Sequence, residues 1–140
     1  MSVRRTFPAV PTDIRDWTRF LQGLFFAREW TTALEGCATR PTATARYTVS
    51  AGIACVALPG LSATSDSVLC FLSDLPSEIT PQHDQYCTAR IIDNGVTAMG
   101  IVMVGIDTGI TLYSDLDESA FTASGLKGIK YSIICYSLDD

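Results

Sequence analysis

The sequence predicts an all-β protein: an antiparallel two-sheet β-sandwich, a jelly-roll-like knob, preceded by a short N-terminal amphipathic helix. Three observations carry this. Asn94-Gly95 sits between two apolar, β-prone arms, and both residues tolerate the positive φ that a tight hairpin turn needs. Further along and upstream, roughly eight or nine apolar segments of about 5–10 residues alternate with Gly, Pro, Asn and Asp punctuation, the pattern of a sandwich. Near the start, Ile14, Trp17, Leu21 and Leu24 recur at three-four-three spacing, which places them on one stripe of a helix.

The domain plan follows: residues 1–11 as an extended arm, 12–26 as the helix and 27–140 as the sandwich. The arm carries Arg4, Arg5 and Phe7 but no apolar stretch behind the arginines, and Pro8 and Pro11 interrupt it, so it reads as an extended, mobile or partner-bound arm rather than a secretion signal. Thr12 or Asp13 caps the helix, with Asp13 and Asp16 near its positive end. Its stripe suits packing on the β domain or, as a short heptad-like seam, packing against copies of itself.

After Arg28 the period changes to two. Residues 29–34 read as a first strand, 36–44 as a loop, 45–50 as a second strand, and Ile53–Leu58 as a third, entered through Ala51-Gly52 and ended by Pro59-Gly60. Residues 62–67 are polar; 68–72 are apolar throughout and read as a fourth strand. Residues 73–84, with Pro76 and Pro81, read as an irregular crossing in which Leu75 and Ile79 anchor a helical turn. The Asn94-Gly95 hairpin joins arms 85–92 and 96–106, and Asp107-Thr108-Gly109 turns the chain into 110–114. An acidic loop follows at 114–119, then a short strand at Phe121, a turn at Ser124-Gly125 and one long final strand over 128–138.

Several strands are apolar on both faces: 68–72, 101–104 and the closing segment. A monomeric sandwich solvates one face of each strand, so these outer faces call for a cover, the N-terminal helix or neighbouring copies, the competing explanation being a thick monomer core. The composition agrees, with 47% hydrophobic and only 18% charged residues in 140. A net charge of −5, with Lys127 and Lys130 the only lysines, argues against nucleic-acid binding. No run of 18 apolar residues marks a membrane-spanning helix.

No pattern of residues points to an enzyme, a metal or a cofactor. The five cysteines, Cys37, Cys55, Cys70, Cys87 and Cys135, lie in apolar runs with no CxxC pair, and are expected as reduced core thiols. His83 is the only imidazole base and stands in a polar loop without a nucleophile elbow. Asp115, Asp117 and Glu118 match a calcium loop weakly and read as a solvated surface. Tyr86, Tyr113 and Tyr136 are candidate contact aromatics.

Residues 41–138 resemble the C-terminal β domains of tailed-bacteriophage fibre and virion-appendage proteins. The resemblance lies in Leu34-Glu35-Gly36-Cys37, Ala45-Arg46-Tyr47-Thr48-Val49-Ser50, Leu58-Pro59-Gly60-Leu61-Ser62-Ala63-Thr64-Ser65-Asp66-Ser67, Arg90-Ile91-Ile92-Asp93-Asn94-Gly95, and Phe121-Thr122-Ala123-Ser124-Gly125-Leu126-Lys127-Gly128-Ile129. The opening Val10-Pro11-Thr12-Asp13-Ile14-Arg15-Asp16-Trp17-Thr18-Arg19-Phe20 is similar to the front of small phage structural proteins. The chain departs from that pattern over 76–85, in its cysteine content and in having no repetitive shaft.

The resemblance implies a virion location and a homotrimer. It implies a stubby fibre or spike-like appendage whose knob contacts a host surface glycan or protein, or else a capsid or tail decoration with no receptor. It supplies no catalytic residue. On this reading Ile14, Trp17, Leu21 and Leu24 serve oligomerisation. Arg4, Arg5 and Phe7 attach the arm to other virion proteins, and Tyr86 and Tyr113 meet the receptor. A polysaccharide-cleaving appendage is a third class, disfavoured by the poor carboxylate arrangement.

Overall fold

A computed structural model describes residues 28–139. The expected arm 1–11 and helix 12–26, and with them Arg4, Arg5, Phe7, Ile14, Trp17, Leu21 and Leu24, lie outside the described residues.

The Asn94-Gly95 turn forms as its chemistry dictates, with φ of 48° and 78°. It joins two long strands, which pair antiparallel from Asp93↔Val96 to Gln85↔Val104. The described chain is all-β and antiparallel apart from one 3₁₀ turn. Its strands are β1 (Arg28–Glu35), β2 (Thr42–Ser50), β3 (Ile53–Leu58), β4 (Leu61–Thr64), β5 (Phe71–Leu72), β6 (Gln85–Asp93), β7 (Val96–Gly105), β8 (Gly109–Tyr113), β9 (Leu126–Ile129) and β10 (Ser132–Ser137). The 3₁₀ turn is Ser77–Ile79, at the expected helical turn.

These strands make one ten-stranded sheet in the order β10-β3-β2-β1-β5-β8-β7-β6-β9-β4. β6, β7 and β8 follow one another through hairpins, and β9 returns to lie beside β6, which is a Greek key. β1 serves two neighbours: its first six residues pair with β2, and Leu34 and Glu35 pair with β5. At the other side, β3 and β4 form one arm of a ribbon with β10 and β9. Leu58↔Ser132 and Leu61↔Ile129 keep a single register across Pro59-Gly60 and Lys130-Tyr131. At the break, Pro59 brings no ladder donor.

Four expectations are corrected by this ribbon and its neighbourhood. The closing strand is two strands, β9 and β10, rather than one run over 128–138. The polar stretch after Leu61 contributes β4, with Leu61 and Ala63 facing inward and Ser62 and Thr64 outward. Phe121 is a buried coil residue, and within 68–72 only Phe71 and Leu72 are strand.

Both parts of the sheet feed one core. Leu34, Val56, Leu58, Leu72, Ile91, Val102, Val104, Ile110, Leu112, Ile129 and Ile134 belong to a single cluster. Burial of each such side chain contributes roughly 1.5–3 kcal/mol. Tyr47 packs edge-on to Trp30 with centroids 5.6 Å apart. The expectation of five reduced thiols is corrected as well. Cys55 and Cys135 face each other directly across β3 and β10 with Cα atoms 4.2 Å apart and are joined as a disulfide, leaving Cys37, Cys70 and Cys87 free.

Candidate functional site: an aromatic groove beside the Greek key

In β6, β7 and β8 alternate residues point outward, and register sets them in rungs. One rung runs Tyr86, Met103, Thr111, Phe71; the next runs Thr88, Ile101, Tyr113. This outer face is apolar and open. Tyr86 is 54% exposed and Phe71 38%, while Ile101, Met103 and Tyr113 are half-buried. The doubly apolar pattern read in the sequence is therefore real on β7, and no described residue covers it fully.

Residues 65–70 rise along one side of this face and turn it into a groove of about 430 Å³. Val68, Leu69, Phe71, Thr111, Tyr113 and Glu118 are among the residues that line it. The wall is held from behind. Lys127, on β9, is fully buried, and its ammonium donates to the carbonyls of Ser67 and Leu69, each at 2.7 Å. The same cation lies 5.5 Å from the centre of the Phe121 ring. A buried charge without compensating bonds costs several kcal/mol, so two carbonyls and a π-face are what make this lysine tolerable. Ser65 Oγ bridges Ser67 O and Thr122 O, and the Phe121 and Leu112 amides donate to Val68 O and Cys70 O. Gly36 lets the wall approach β1: at φ 91°, a Cβ there would stand 2.1 Å from Leu69 O. Cys70, buried in this wall, has its thiol pushed up to about 12 by desolvation, with Lys127 opposing.

The acidic loop contributes Glu118 to the lining. Asp115 Oδ1 accepts the amides of Asp117 and Ser119 at 3.0 Å each, and Ser114 closes the loop on Ser119 and Ala120 carbonyls. Hydrogen bonds from Ser119 hold the Asp115 carboxyl below its ordinary value. The loop presents Glu118 at φ 60°, a conformation in which glycine would cost less. Desolvation first, then the charges of Glu118, Asp84 and Tyr113, raise the Tyr86 phenol above its ordinary value.

Of the sequence candidates, Tyr86 and Tyr113 share this face. Tyr136 does not; it is buried, and its hydroxyl donates to Ile79 O at 2.7 Å. Sequence reasoning missed Phe71 and Leu69, whose run looked like a core strand, and Lys127. The one available signal for Lys127 was a lone cation inside an apolar strand. Among the described residues, no group of three His, Cys, Asp or Glu side chains converges as a metal site. What the groove offers is non-covalent: aromatic faces, threonine hydroxyls and one carboxylate.

A second concavity, about 440 Å³, lies on the outer face of β2, β3 and β10. Arg46 stands on one side, Tyr131 and Ile133 on the other, and Ala57 between them. Tyr131 and Ile133 are 63% and 54% exposed, a second open apolar patch. Searches of protein-family models and of curated proteins find no match to this chain.

Proposed function

We propose that the chain is a structural protein of a tailed-phage virion, a short homotrimeric fibre or spike-like appendage. Its β domain, a two-sheet sandwich of jelly-roll-like form, would contact the host surface through the groove. The motif resemblance supports the virion assignment, and the Greek key of β6 to β9 is a unit from which such sandwiches are built. The observation that carries host contact is the groove itself. Exposed aromatics stand on paired strands behind a wall fastened by a buried lysine, so the site is rigid before any ligand arrives. On this reading the patch at Tyr131 and Ile133 packs against copies, Ile14, Trp17, Leu21 and Leu24 support the trimer, and Arg4, Arg5 and Phe7 attach the arm to other virion proteins. Weak binding at each groove would be multiplied by trimer valency.

Light scattering of the full chain should give a mass near three times 15.1 kDa, and labelled protein should bind host cells in a manner lost on Tyr113→Ala. The open patch at Tyr131 and Ile133 also suits a second reading, a capsid or tail decoration covered by neighbouring virion subunits. A correctly assembled trimer that ignores host cells would select that reading.

A further inference from the structure

We infer that the groove takes an amino sugar, a pyranose carrying a protonated amine. This inference rests on reading the groove as the host-contact site and adds the chemistry of what enters it. Three features of the lining converge. Tyr113 and Phe71 offer flat apolar surface suited to the C–H face of a sugar ring. Thr108 and Thr111 bring hydroxyls that both donate and accept, which matches a ligand rich in hydroxyls better than a bare ammonium headgroup. Glu118 is the one charged residue lining the groove, which it shares with Phe71 and Tyr113, and a carboxylate with aromatic faces is the pairing that stabilises an amine by charge and by cation–π attraction.

The surrounding charge agrees. The nearest cation built into the wall, Lys127, does not line the groove and spends its protons on Ser67 and Leu69 carbonyls. A neutral sugar would need only the aromatics and threonines; the carboxylate is what discriminates. Its backbone underlines this, because φ 60° disfavours glutamate where glycine would sit without strain.

The test is calorimetric titration of the full chain with a β-1,4-linked glucosamine tetrasaccharide and with its N-acetylated counterpart, which has lost the amine's charge. The charged sugar should bind at least tenfold more tightly. Tyr113→Ala should abolish binding, and Glu118→Gln should weaken the charged sugar about tenfold while leaving the acetylated one unchanged. Glu118→Gly separates fold from function: relieving the positive φ should leave unfolding unchanged or shift it to higher denaturant, yet binding should fall as in Glu118→Gln.

Equal affinity for the two sugars, no affinity for either, or full binding by Glu118→Gly would overturn the amino-sugar inference. Host-cell binding lost on Tyr113→Ala would still uphold the groove as the contact site in those cases. If Tyr113→Ala instead lowers the light-scattering mass and the wild type binds no sugar, the groove is a seam between copies, and both readings fall.

Discussion

Gly125 closes against Asn94: a Cβ at position 125 would lie 2.3 Å from Asn94 Oδ1 and 2.9 Å from its Cα. The Gly95 amide also donates to Leu126 O at 2.9 Å, so the tip of the β6–β7 hairpin is docked onto the approach to β9. Both glycines have positive φ, 77° and 78°, but the space around a Cβ on Gly95 is empty to 4 Å. Gly95→Ala should therefore cost only the backbone term, about 1 kcal/mol, and Gly125→Ala about 2–3 kcal/mol because the hairpin tip must also move. Urea unfolding of the two variants measures the difference; equal costs would mean that the docking contributes nothing.

Lys127→Met keeps the length of the side chain and removes its donors. The Ser67 and Leu69 carbonyls, partly buried where they meet the ammonium, then lose their partners, at about 1–3 kcal/mol each before relaxation, so a loss of about 3 kcal/mol is expected. The loss should be local as well as global. Hydrogen exchange at the Phe121 and Leu112 amides, which bond to the same wall at Val68 and Cys70, should accelerate more than at the β6–β7 ladder.

The bond between Cys55 and Cys135 spans 80 residues of sequence and ties β10 to β3. On the chain-entropy model a loop of that length stabilises by about 4 kcal/mol. Unfolding midpoints with and without reductant should differ accordingly, and a Cys135→Ser chain should be insensitive to reductant. Equal midpoints in the wild type would show that the bond is not formed in solution.

Thiol reactivity should rank by burial. Cys70, with its thiol pushed up to about 12, presents almost no thiolate at neutral pH and should resist iodoacetamide until the chain unfolds. Cys37 and Cys87 are only partly buried, with thiols raised by desolvation, and should react slowly in the native protein. Mass spectrometry after timed alkylation gives the order; early labelling of Cys70 would mean that the groove wall opens.

Asp115 has a lowered folded-state value, so its contribution is present above the ordinary carboxylate pKa and is lost as pH falls through the lowered one. The loop over 114–120 should accordingly stay ordered at neutral and mildly acidic pH and loosen only in stronger acid. The Asp117 and Ser119 amide resonances report this directly, since both donate to the Asp115 carboxylate. Asp115→Asn should remove that acid transition.

Where structure depends on near neighbours in the chain, the sequence was sufficient. Asn94-Gly95 specified its hairpin, Ile53–Leu58 was legible as a strand and residues 85–92 as most of β6, and the proline-rich crossing carried its one 3₁₀ turn at Ser77–Ile79. The outward apolar residues of β7 were also legible as a face lacking cover, and Tyr86 and Tyr113 were singled out. The rest was decided by pairings between distant residues, which no local period encodes. Leu126–Ile129 became a separate strand because it shares one register with Leu61–Thr64 across a proline corner. Cys55 found Cys135 because β10 pairs with β3. The segment at Val68 to Cys70 became a groove wall rather than strand because Lys127, nearly sixty residues away, draws the Ser67 and Leu69 carbonyls inward. Turn chemistry and alternation are properties of consecutive residues. A buried ammonium between two carbonyls exists only once the sheet has brought them together.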